Sequence, residues 1–184
     1  MFLAAGAAGA SLPAWAAPVI PRPAPEFTIT TNSGEQVHLS QFRGKIVALE
    51  VLLTTCPHCQ RCSRTMQKML EEFGSQRFAV LGAAVNDGAR YSLTQFQIST
   101  GATYPIGTAD RDKAYAFLQA DLNAGPIYMP QLVFIDRKYT IRAQYAGTDS
   151  FFLDEEKNVR EVIHRMLRDA PAGPSARTAP KGVR

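Results

Sequence analysis

Ile46-Val47-Ala48-Leu49-Glu50-Val51-Leu52-Leu53 runs through Thr54-Thr55 into Cys56-Pro57-His58-Cys59. An apolar run of this length, broken only by Glu50 and stopped by two threonines, reads as a central strand covered on both faces. Pro57 then stands where a helix tolerates proline, because the N–H it lacks would be unpaired in a first turn anyway. The spacing predicts a helix over Pro57 to Phe73, closed by Gly74. The cysteines therefore sit where strand meets helix, at the carboxyl end of a central strand, where open α/β sheets place their functional sites.

The chemistry follows from that placement. At a helix N-terminus the unpaired N–H groups and the helix dipole stabilise an anion, so Cys56 is expected to ionise more readily than a free thiol. A thiolate is the nucleophile of disulfide exchange. Cys59, one turn on, is close enough to attack a mixed disulfide formed at Cys56 and release the reduced partner. His58 adds an imidazole expected beside the first sulfur, where a proton or hydrogen bond would favour the thiolate and make the disulfide more oxidising. The bland reading, two structural cysteines or half a zinc site, is poorer. Beyond the three cysteines only His38, His58 and His164 are available as soft ligands, and the usual spacings are not met, so no metal is expected.

Outward from this centre the chain alternates strands and helices. Phe27–Thr31 and Gln36–Leu39 read as a hairpin around Asn32-Ser33-Gly34, and Phe78–Val85 as a second buried strand. A helix is predicted over 89–100, a short strand over 104–106 and a short helix over 111–119. Leu132–Ile135 and Tyr139–Tyr145 form a further hairpin. A last helix over 153–167 places Val159, Val162, Ile163, Met166 and Leu167 on one face, with acids at 154–156 and bases at 165 and 168 suiting its macrodipole. The order implies an α/β fold, a central mixed sheet with helices on both faces.

The 184 residues, 46% hydrophobic and 20% charged, suffice for one core without a disulfide framework. Three cysteines within seven residues could not supply one. Of the net charge of +4, three charges fall in residues 171–184, so the folded part is near neutral and no nucleic-acid partner is implied. Residues 1–17 read as a signal peptide lacking a basic start, with Ala14-Trp15-Ala16 as the small residues a peptidase reads, which predicts export. Residues 18–25 read as a Pro-rich linker, 26–169 as the domain and 170–184 as a disordered basic tail.

Four marks together resemble the thioredoxin-fold redoxins, specifically the TlpA-like thiol-disulfide oxidoreductases. They are Ala24-Pro25-Glu26-Phe27, Leu39-Ser40-Gln41-Phe42-Arg43-Gly44-Lys45, the CPHC motif, and Pro130-Gln131-Leu132-Val133-Phe134-Ile135-Asp136. The resemblance implies a thioredoxin-like fold with an N-terminal β-hairpin extension, and a cis-proline at Pro130 facing the motif. It also implies that the backbone of Met129 pairs with a substrate strand. No cofactor is implied beyond a redox-active Cys56–Cys59 disulfide. The implied partners are protein thiols and disulfides, with a membrane electron donor as one candidate, and the chain is expected to be a monomer in a periplasmic or other extracytoplasmic space. Glu50, six residues before Cys56, occupies the position where thioredoxins carry a buried acid. Burial would raise its pKa toward neutrality and suit it to exchange a proton with Cys59; the plainer alternative is a strand acid paired with Lys or Arg.

Three departures qualify the likeness. Thr55 stands where the family usually has an aromatic residue, and CPHC itself resembles the motif of DsbA-type oxidases. Cys62 takes a place where relatives often have glutamate, and reads as a small buried hydrophobe rather than a third redox thiol. A peroxiredoxin is the nearest enzymatic rival, but Leu49 and Leu53 occupy the positions where its motif needs Pro and Thr or Ser. A peptide-binding module without catalysis is the alternative from another class.

Overall fold

A computed structural model describes residues 17–120 and 125–169; the expected signal peptide, up to residue 16, and the expected tail from residue 170 lie outside them. Twelve elements follow in order: β1 (Arg22–Pro23), β2 (Thr28–Thr31), β3 (Gln36–His38), β4 (Ile46–Leu52), α1 (Pro57–Phe73), β5 (Phe78–Ala84), α2 (Leu93–Thr100), β6 (Ile106–Thr108), α3 (Arg111–Leu118), β7 (Gln131–Ile135), β8 (Thr140–Ala146) and α4 (Glu155–Arg168). All strands join one sheet in the order β1-β8-β7-β4-β5-β6-β2-β3. Central β4 runs parallel to β5 and antiparallel to β7, so the sheet is mixed as expected.

Strand alternation divides the core into two layers. Ile46, Ala48 and Leu52 of β4 pack beneath α1, α2 and α4 with Met66, Leu93, Phe96 and Val159. Val47, Leu49 and Val51 face the other way, onto α3 and the N-terminal hairpin, with Phe117, Leu118, Phe27 and Ile29. Glu50 shares parity with Ala48 and Leu52, and its side chain is carried under α1.

The sequence-based boundaries shift where a side chain has a better partner than the helix or ladder offers. The helix predicted over 89–100 breaks into a 3-10 turn, Ala89–Tyr91, and α2. Between them the Ser92 hydroxyl donates back to the Ala89 carbonyl at 3.0 Å and meets Thr54 Oγ1 at 2.7 Å. Strand β6 begins two residues late because Pro105 has no N–H for the ladder, although its carbonyl accepts from Gly82 at 2.9 Å. The last helix starts at Glu155, after a 3-10 turn over Ser150–Asp154 that turns Phe151 and Phe152 into the core.

The Pro-rich segment is extended but is no free linker. Arg22 and Pro23 pair with β8, Ala24 N–H donates to the Tyr139 carbonyl at 2.9 Å, and Arg22 is buried. Its guanidinium donates to the Phe117 carbonyl at 2.9 Å and to Gln144 Oε1 at 2.8 Å. A buried cation costs much unless its N–H groups find acceptors; here the two terminal nitrogens find them, while Nε has none. At the opposite edge Gly107 admits the N-terminal hairpin, since a Cβ there would lie 2.5 Å from the Thr30 carbonyl oxygen.

Candidate functional site

Cys56 is the N-cap of α1, in extended conformation, with Pro57 in the first turn as expected. Its sulfur accepts the Cys59 N–H at 3.4 Å, and its carbonyl accepts from Gln60 at 3.0 Å. Cys56 is half-buried, Cys59 fully buried, and all three cysteines are free thiols. The Cys59 sulfur accepts the Leu53 N–H at 3.5 Å. Burial pushes the Cys59 thiol well up; the Leu53 N–H opposes this, and the charge of Glu50 adds to it. A thiol in that state needs a base before it can attack a disulfide.

The carboxylate whose charge reaches Cys59 is Glu50. It is completely buried, its Oε2 accepts from Ser63 Oγ at 2.8 Å, and its Oε1 has no hydrogen-bond partner. No Lys or Arg pairs with it among the described residues, so the plainer reading of a strand acid in an ion pair does not apply. Burial pushes its carboxyl up to about 8, with the Ser63 hydroxyl pulling down and the charge of Glu155 pushing further up. Tyr104, whose OH lies 3.4 Å from the Ser63 carbonyl, closes the deep side of this polar cluster. Cys62 is wholly buried on the same helix, and burial followed by the charge of Glu50 raises its thiol strongly. That accords with a small buried side chain rather than an exposed reactive one.

Opposite the cysteines the Met129–Pro130 peptide is cis, as the resemblance implied. Gln131, the next residue, pairs with Val51, which brings Pro130 to the carboxyl end of β4, from which the chain continues to Cys56. Met129 and Cys56 are both partly buried against the same core layer. Thr55 is exposed at the mouth, which makes that rim polar.

The His58 imidazole, expected beside the Cys56 sulfur, is engaged by residues from the end of the chain. The His58 ring packs edge-on against Phe152, with centroids 4.8 Å apart, and its Nε2 faces Glu155 Oε2 at 3.6 Å. Among the described residues it makes no hydrogen bond to Cys56. Burial, then the nearby Arg61, holds the ring below its usual pKa, in the direction of the neutral form.

Several site residues are not legible in the sequence. Thr54 N–H donates to Asn86 Oδ1 at 2.9 Å and, with Ser92, ties the strand-to-helix turn to the loop after β5. Gly147 N–H donates to the Tyr128 carbonyl at 3.2 Å, and a Cβ on Gly147 would lie 2.4 Å from the Met129 carbonyl oxygen. Only glycine lets β8 end so close to the cis-proline loop. Gly147→Ala is expected to displace Met129 and Pro130 and to cost about 1–3 kcal/mol, the usual penalty of overpacking. Thermal unfolding and the KM for a dithiol peptide should both change; a variant with native Tm and KM would show the loop free to yield. Among the described residues no group of three or more His, Cys, Asp or Glu side chains is arranged to hold a metal ion.

Several known proteins have sequences or folds similar to this chain. The model of the AhpC/TSA family matches residues 20–144. The thiol-disulfide oxidoreductase ResA of Geobacillus kaustophilus is 32% identical over 126 residues, covering 68% of each chain. The protein named probable glutathione peroxidase 8-B of Xenopus laevis is 29% identical over 105 residues, half of each chain. Among solved structures, a thioredoxin-family thiol:disulfide interchange protein of Chlorobium tepidum aligns with a TM-score of 0.63 at 22% identity. It covers 80% of this chain and 99% of its own, and the shared fold is thioredoxin-like.

Proposed function

The chain belongs to the AhpC/TSA family, and we propose that within it the protein is a thiol-disulfide oxidoreductase acting on protein thiols and disulfides through Cys56 and Cys59. The observation that carries this reading is the pairing of a half-exposed Cys56 at the α1 N-cap with a buried Cys59 backed by Glu50. The Cys56 thiolate attacks one sulfur of a substrate disulfide, which forms a mixed disulfide and releases the other sulfur as a thiolate that takes up a proton. Glu50 then takes the proton from Cys59, whose sulfur closes the Cys56–Cys59 bond as the substrate thiolate leaves and is protonated. In the opposite direction the bridge is reduced by a substrate dithiol, and Glu50 returns the proton to Cys59. The cysteine pair itself carries the two electrons, so no further cofactor is needed. Pro130 and the Met129 backbone shape the groove for an extended substrate segment.

A peroxiredoxin-like peroxidase is the alternative, but Leu49 and Leu53 stand where its motif needs Pro and Thr or Ser. The reading of residues 1–17 as a signal peptide supports work outside the cytoplasm. No helix of the described residues is long and apolar enough to cross a membrane.

The test is equilibration with glutathione, together with insulin reduction and oxidation of a dithiol peptide. A midpoint near about −270 mV makes the protein a reductant and one near about −120 mV an oxidant. Consumption of peroxide without either exchange activity would move the assignment to a peroxidase. Peptide binding with no redox activity would leave a binding module.

A further inference from the structure

Glu155 is the first residue of α4, and a purely helical explanation is at hand, since an acid there meets the positive end of the helix dipole. The side chain is arranged for something else. It is only 6% exposed, and neither carboxyl oxygen has a hydrogen-bond partner. An acid serving its own helix would accept from a backbone N–H. Instead Oε2 reaches across to α1, 3.6 Å from His58 Nε2 and 3.8 Å from Arg61 Nε. His58 Nε2 is likewise buried without a partner. A carboxyl oxygen and a ring nitrogen thus face each other just beyond hydrogen-bond reach, in the helical turn that carries Cys56. Burying either polar atom unpaired is costly, so a small closure that lets them share a proton is favoured.

We propose that Glu155 is a positioning residue for the disulfide chemistry: it shares one proton with His58 and passes it to the imidazole when the Cys56 thiolate is present. The proton leaves the carboxyl group for Nε2, so an acid and a neutral ring become a carboxylate and an imidazolium. The net charge of the pair stays zero. Its positive end, however, now lies on α1 with the thiolate, and its negative end on α4. In the disulfide form no thiolate is present and the proton returns.

Burial raises the acid, against the Thr65 hydroxyl and the charges of Arg61 and Arg64, and lowers the ring. Other charged or titratable groups face the pair from α1 and β4. Arg61 and Arg64 act on Glu155 from α1, and Arg61 also opposes a charge on His58. Glu50 on β4 and Cys62 on α1 feel the charge of Glu155.

This inference rests on the proposed disulfide exchange, and the sign of one measurement decides it. Glu155→Gln keeps the shape and removes the proton store. The equilibrium with glutathione at pH 7 is then expected to shift about tenfold toward the disulfide, because the dithiol form loses its compensating cation. His58→Asn should shift it the same way, and the double variant should shift it no further. Were Glu155 merely a nearby anion, its removal would favour the thiolate and move the equilibrium toward the dithiol. That opposite sign, an unchanged equilibrium, or additive effects of the two substitutions would each overturn the pairing. His58→Asn reads the pair from the other side should Glu155→Gln fail to fold. A wild-type protein with no glutathione-exchangeable disulfide would remove the exchange reading itself, whereas a normal wild-type equilibrium with unshifted variants would remove only this inference.

Discussion

Cys56→Ser is expected to reduce insulin reduction and dithiol-peptide oxidation by about a thousandfold or more, since the only accessible sulfur of the motif supplies the nucleophile. Cys59→Ser should fail differently. Cys56 can still attack a substrate disulfide, but the resolving thiol of the motif is gone, so a covalent adduct through Cys56 accumulates. Mass spectrometry under non-reducing conditions reads both outcomes, as a bare protein in the first case and a mass increase equal to the substrate in the second. After thiol blocking, the oxidised wild-type protein should contain a Cys56–Cys59 bridge and an unbridged Cys62. The half-exposed and fully buried positions of Cys56 and Cys59 dictate this asymmetry. Adducts forming on Cys59, or a native bridge that includes Cys62, would reverse or redraw the roles.

The parts of this site that can be read in the sequence are those whose signal is local. The apolar run of β4, Pro57 at the first turn of α1 and Gly74 at its end each act within a few residues, and the helix has the expected bounds. Glu50 is legible because a carboxylate inside an apolar run announces its own burial cost. The proline at position 130 needs family resemblance, since nothing local distinguishes a cis from a trans proline at the head of a strand. The partners of His58 are not legible because adjacency to Cys56 says nothing about Phe152 and Glu155, which arrive from the far end of the chain. Arg22 is lost in a Pro-rich stretch for the same reason, its acceptors lying on α3 and β8. Gly147 gives no sequence signal of its own; only the approach of the cis-proline loop makes its missing Cβ necessary.

Glu50→Gln is expected to make the protein more stable in alkali and slower at its chemistry, a combination a merely structural acid would not give. The native carboxyl is pushed up to about 8 by burial, against an ordinary value of 4.5 in the unfolded chain. Below the lower value both states hold the proton. Between the two the native state keeps it while the unfolded state releases it, so the unfolded state binds fewer protons and stability falls as pH rises through this window. Above about 8 the native acid is also ionised, and the loss is complete. At about 1.4 kcal/mol for each pH unit of that window, the decline contributed by Glu50 is on the order of 4–5 kcal/mol, and it should be absent in the glutamine variant. Urea unfolding at pH 4.5 and pH 9 measures the difference directly. The kinetic consequence has the same origin. Only ionised Glu50 can accept the proton of Cys59, so resolution of a mixed disulfide in the wild-type protein should accelerate as pH approaches 8. In Glu50→Gln it should be about a hundredfold slower at pH 8, with that inflection gone. Identical resolution rates for the two proteins across pH 6–9 would take Glu50 out of the mechanism, even if the stability difference were found, and would leave Cys59 to be deprotonated by another group.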